Sequence, residues 1–210
     1  MFKCLYEGGH DHEQIEDTYT LTLFYLAQAY TKLGLKDKAA ESCGRTLQRQ
    51  HTTGKYDLKE FVTNLIGLAE YYQGNKFFAQ AQYLLMLALK AIPEGKKIKL
   101  RATVQISIGN LIAELLDFGS ARIHHGDIHE GDDSVVSKQI LLFNEFDQAF
   151  PQVKLPQNIE DCKSLFRQAN TQFKKALEVF VLDGYVTEHI EVLFSQSRLY
   201  RSLELLEKSS

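Results

Sequence analysis

The stretch LFYLAQAYTKLGLKDKAAESC, residues 23–43, decides the fold, because its pattern returns as LIGLAEYYQGNKFFAQAQYLL at residues 65–85. Leu23, Leu26, Ala27 and Tyr30 match Leu65, Leu68, Ala69 and Tyr72. Ala39, Cys43 and Thr46 match Ala81, Leu85 and Ala88, all at one offset of 42 residues. Apolar residues three and four apart mark helices with one buried face. Ala27 with Ala39, and Ala69 with Ala81, are small enough to let two helices approach closely, and Tyr30 and Tyr72 fill the space beside them. Gly34 stops the first helix, Asp37 is expected to cap the second, and Lys76 stands in Gly34's place in the second copy. Such a hairpin cannot bury its apolar face alone, so the expected fold is all-α, a helical-hairpin solenoid or α-α superhelix that holds another protein.

The spacing resembles tetratricopeptide (TPR) patterning, in a divergent form, since the common unit is about 34 residues long. Composition agrees with helix. Leu (29) outnumbers Val (9) and Ile (12) together, and the three prolines sit at 93, 151 and 156; β-branched residues and Pro both disfavour helix interiors.

Outward from the repeats, residues 1–15 read as a flexible N-terminal segment and 16–93 as two TPR-like hairpins. Residues 94–118 read as a buried helix entered through Lys96, Lys97, Lys99 and Arg101. The Gly-, His- and Asp-rich stretch 119–134 reads as a polar mobile loop, and 135–157 as a short helix with a Pro-bounded linker. Residues 158–210 read as a long helical hairpin, the whole forming one continuous solenoid. Its first helix carries Cys162, Phe166, Ala169, Phe173, Ala176 and Phe180 inward, and its second Val186, Ile190, Leu193, Ser197, Tyr200 and Leu203.

A formal net charge of −3 argues against nucleic acid as a partner. No apolar run of about 18 residues suggests membrane insertion, and nothing resembling a signal peptide occupies Met1–His10. Cys4, Cys43 and Cys162 are odd in number and widely spaced, which suits a reducing cytosolic setting. Cys43 and Cys162 read as small apolar fillers. The one constellation that tempts toward metal chemistry is His124, His125, Asp127, His129, Glu130, Asp132 and Asp133, whose spacing fits neither H-E-x-x-H nor a calcium loop. It reads as solvated, with no metal or cofactor. His189 reads as a capping or packing residue. No nucleophile elbow or phosphate-cradling loop occurs, and neither an enzyme nor a small-molecule substrate is expected. TPR domains that grip a C-terminal carboxylate use Lys, Asn and Arg, whereas this chain offers Phe24, Gln28, Thr31 and Lys32, then Ile66, Glu70 and Gln73. That set argues against a carboxylate clamp, and Gln28, Lys32, Glu70 and Gln73 are the residues expected to line a protein-binding concave face.

The segments LFYLAQAYTKLGLKDKAAESCGRTLQRQ, from residue 23, and EVFVLDGYVTEHIEVLFSQSRLYRSLELLE, from residue 178, resemble the kinesin-binding protein family, also called KIF-binding protein. Asp183 to Glu191 is the most specific part, and the resemblance covers about 16–92 and 158–207, as if the chain were a central part of a longer protein. The resemblance implies a TPR-like, non-enzymatic regulator that engages kinesin motor domains and blocks their microtubule attachment. It would thereby influence axonal and mitochondrial transport and cytoskeletal organisation, in the cytoplasm and in association with the cytoskeleton. A general TPR scaffold for another cytosolic protein is the alternative. The D-G-Y-V-T-E-H-I-E run is expected to be structural, Gly184 permitting a tight junction and Asp183 or Thr187 capping.

Overall fold

The computed structural model describes residues 9–125 and 153–208, and among these the fold is all-α. The helices are α1 (Gly9–Lys32), α2 (Lys36–Thr53), α3 (Leu58–Gly74), α4 (Phe78–Ala91), α5 (Ile98–His125), α6 (Ile159–Leu177) and α7 (Val186–Lys208). They divide into two compact units, with the boundary between Asn64 and Leu65 inside α3.

In the first unit α1 and α2 pack as an antiparallel hairpin. Arg49, near the end of α2, meets Glu16 near the start of α1, donates to the Thr20 hydroxyl at 3.1 Å and lies 4.5 Å from the Tyr19 ring centroid. Lys55 reaches Asp17 at 3.2 Å. Leu23, Leu47, Phe61 and Val62 are buried, and Phe61 stacks on Tyr56 at 4.2 Å. Asp57 caps α3, its carboxylate accepting from the Glu60 N–H at 2.9 Å. Two expectations need correction. The N-cap of α2 is Leu35, with no side-chain cap bond, and Asp37 sits in the first turn instead, where its charge favours the helix N-terminus. Tyr19 and Leu26 are exposed, because within this unit α1 has a single helix to pack on.

The turns that close the two repeats are the same turn. The Leu35 N–H donates to Tyr30 O at 2.9 Å, Gly34 to Thr31 O at 3.1 Å, Lys36 to Gly34 O at 3.0 Å and Ala39 to Leu35 O at 3.0 Å. Each bond recurs 42 residues on: Phe77 to Tyr72 O (2.9 Å), Lys76 to Gln73 O (2.9 Å), Phe78 to Lys76 O (3.0 Å) and Ala81 to Phe77 O (3.2 Å). Gly34 (φ 72°) and Lys76 (φ 66°) are both left-handed. A left-handed L-residue costs about 1–2 kcal/mol, so Gly34→Ala, which has open space for its methyl group, should lower stability by about 1 kcal/mol through backbone strain alone in a urea titration.

In the second unit α5, α6 and α7 run up, down and up. Gly109 and Gly119 of α5 lie against Phe173 of α6 and Pro156 ahead of it, and Gln196 of α7 donates to Asn170 of α6 at 2.9 Å. The core holds Ala102, Leu116, Cys162, Ala169, Phe173, Ala176, Val192 and Leu199. Asn158 caps α6, accepting from the Asp161 N–H at 2.9 Å, while the Asp161 carboxylate accepts from the Gln157 N–H at 3.0 Å.

Three boundaries or faces differ from expectation. Helix α1 begins at Gly9, inside the segment expected to be flexible. Helix α5 does not stop at Phe118; it passes through Gly119 to His125, because Gly119 serves as a packing socket for Pro156 and not as a helix end. On α7 the buried residues are Val192 and Leu199, whereas Val186, Ile190, Leu193 and Tyr200 are exposed. The polar contacts from Arg198 and Ser202 to α5 turn α7 to a different arc. The expected short helix near 135–150 lies outside the described residues, as do Asp127, His129, Glu130, Asp132 and Asp133.

Candidate protein-binding surfaces

Gln28 and Lys32 are exposed one turn apart on α1, in line with Leu21 and Tyr25 at helical spacing. Phe24 packs edge-on to Tyr25 at 5.7 Å, so this face presents aromatic and aliphatic surface with a polar end. Glu70 is exposed on α3. Gln73 is half-buried and its amide donates to the Glu114 carboxylate at 2.9 Å. The four residues thus fall as two pairs, one in each unit.

Gln73 leads into a polar seam that the sequence reading missed. Lys76 donates to Glu114 Oε1 at 2.5 Å and lies 5.9 Å from the Phe118 ring centroid. One turn along α5, Asp117 accepts from the Arg198 guanidinium at 3.1 and 3.3 Å and from the Ser202 hydroxyl. The seam joins the α3–α4 turn to α5, and α5 to α7. It also explains Lys76: only a long cationic side chain in that left-handed position reaches Glu114, and a charge-assisted bond offsets the backbone strain. The available signal was a pair of acids at i and i+3, Glu114 and Asp117, the two acidic residues of α5.

Burial raises the pKa of the Glu114 carboxyl, but hydrogen bonds from Lys76 and Gln73, with the charges of Lys76 and Arg198, outweigh it and leave the group below its ordinary value of 4.5. A carboxyl whose pKa is depressed by folding stabilises the native state above its unfolded pKa and loses that contribution as pH falls through the folded one. The stability gap between the wild-type chain and Glu114→Gln should therefore be full at neutral pH and should close below about pH 4.5. Denaturant titrations at several pH values measure it.

The D-G-Y-V-T-E-H-I-E run is built as a junction. Gly184 has φ 100°, Tyr185 packs on Phe180 at 5.6 Å, and His189 Nδ1 donates to Phe180 O at 2.7 Å, meeting a carbonyl just beyond α6. His189 is thus a capping residue for the chain leaving α6, as expected of it. Burial pushes the Cys43 thiol up to about 11; burial, with the charge of Asp161, does the same for Cys162. Both are protonated at neutral pH and act as apolar filling. A cleft of about 230 Å³ between α4, α5 and α6 is lined by residues including Phe78, Leu85, Met86, Ile108 and Leu111, and among the described residues no ionisable side chain lines it. His124 and His125 fall in the last turn of α5, and among the described residues no group of His, Cys, Asp and Glu is arranged to hold a metal.

A family model described as "KIF-1 binding protein C terminal" matches residues 120–210. The cattle (Bos taurus) protein named KIF-binding protein is 27% identical over 237 residues, covering 93% of this chain and 38% of the relative. The human (Homo sapiens) protein of that name is likewise 27% identical over 237 residues, with the same coverage. That of Drosophila melanogaster is 39% identical over 92 residues, 42% of this chain and 15% of the relative. No solved structure matches. The chain spans less than half the length of the curated relatives it matches. All-helical among the described residues, and alike over 93% of its length to proteins named KIF-binding protein, the chain is similar to the KIF-binding protein family.

Proposed function

We propose that this chain is a non-enzymatic binding module that engages a kinesin motor domain and covers its microtubule-facing surface, so that motor attachment and module binding compete. It would act in the cytoplasm, in association with the cytoskeleton, and regulate microtubule-based transport, mitochondria included. The observation that carries the reading is the likeness, over 93% of the chain, to proteins named for binding KIF. Exposed apolar residues on α1 and α7 supply the kind of surface a protein partner buries. Within this reading Gln28, Lys32, Glu70 and Gln73 contribute polar contacts.

Immobilised chain should capture purified kinesin motor domains. Reversing a charge at an interface rim weakens binding by roughly threefold or more, chiefly through the association rate, so Lys32→Glu and Glu70→Lys should each show that loss. Unchanged affinity in both variants would remove these residues from the contact, and failure to capture any motor domain would remove the function.

A further inference from the structure

Where α4 passes to α5, the loop Pro93-Glu94-Gly95-Lys96-Lys97 and the first helical turn place three lysines together at the surface. Lys96, Lys97 and Lys99 are exposed, and none is in an ion pair among the described residues. Their local setting works against folding. Lys97 holds a left-handed backbone (φ 51°), which a side chain adopts only at a cost. The first turn of α5 has no acidic residue, so lysine charge meets the positive end of the helix unrelieved. Among the described residues of the second unit no acidic side chain forms an ion pair with these lysines.

The lysines also have apolar neighbours. The Lys99 ammonium lies 4.6 Å from the Tyr185 ring centroid, which sets the α6–α7 turn beside the start of α5. That turn exposes Val181, Leu182 and Val186, the last two by 57% and 53%, and Ile98 between the lysines is 59% exposed. Four aliphatic side chains at one end of the unit thus stand next to three cations. We propose that the α4–α5 loop and the α6–α7 turn form a docking surface for an acidic segment of a partner protein, carrying an aliphatic side chain among its carboxylates. Charge complementarity selects the occupant. Carboxylates over Lys96, Lys97 and Lys99 supply the missing counter-charge, and an aliphatic group covers Ile98 and Leu182. Exposed Glu94 and Asp183 on the same two loops disfavour a flat anionic membrane, whereas a peptide chain can place its charges around them. The surface is separate from motor binding as proposed above and holds whichever protein supplies the segment.

The test uses the full chain and a fluorescein-labelled peptide of repeated Glu-Glu-Leu-Glu, read by anisotropy. Binding should weaken with added salt. It should drop about tenfold or more in Lys96→Glu/Lys97→Glu/Lys99→Glu, and by a smaller factor in Leu182→Ser, with unchanged circular dichroism in both. The same peptide with Lys in place of Glu should not bind. No binding of the acidic peptide, equal affinity in the triple variant, or capture by phosphatidylserine vesicles in place of the peptide would each overturn the proposal.

Discussion

Phe173→Ala should cost about 3–5 kcal/mol, the range expected for truncating a fully buried phenylalanine. The ring is completely buried in α6 and faces α5 at Gly109, where an added Cβ would come within 2.6 Å of Cε1 and 2.9 Å of two further ring carbons. The glycine is therefore the socket and the phenylalanine the knob. Gly109→Ala should destabilise as well, since overpacking costs about 1–3 kcal/mol, while the gain in helix propensity returns only about 1 kcal/mol. The two effects share one contact, so Gly109→Ala combined with Phe173→Leu should cost less than the two changes summed. Urea titrations of the four chains measure this coupling, and strict additivity would show that the ring and Gly109 do not meet.

Gly119→Ala should destabilise by about 2–3 kcal/mol, although alanine is the better helix former. Its Cβ would fall 2.0 Å from Pro156 Cγ and 2.4 Å from Cδ, and a buried proline ring has no rotamer by which to retreat. Gly67 of α3 is the control: it is exposed, helical, and has no atom within 4 Å of an added Cβ. Gly67→Ala should stabilise by about 1 kcal/mol on propensity alone. Opposite signs at two helical glycines would establish that α5 continues through Gly119 with Pro156 packed on it. A stabilising Gly119→Ala would contradict that packing.

Gly119 also shows where sequence reading stops. A glycine inside a helical pattern is a stop or a socket depending on a residue far along the chain, and nothing near Gly119 reveals Pro156. The repeat was legible because its cause is local: small residues at Ala39 and Ala81 and a left-handed residue at position 34 or 76 dictate the same turn. The α6 face was legible too, since Cys162, Ala169, Phe173 and Ala176 form one unbroken stripe. On α7 the apolar residues cover a wide arc, and periodicity does not say which part of it meets α6. That was decided by Asp117, which holds Arg198 and Ser202 across from α5. Of the four residues expected to contact a partner, Gln28, Lys32 and Glu70 lie at the surface. Gln73 turned out to serve Glu114, an acid whose role becomes visible only once the end of α3 and the turn after it meet α5.

The most direct test of the account is microtubule co-sedimentation of purified kinesin motor domains with increasing amounts of this chain. The account predicts that motor leaves the pellet in proportion to added chain and appears with it in the supernatant. Motor that pellets undiminished at saturating chain would contradict it.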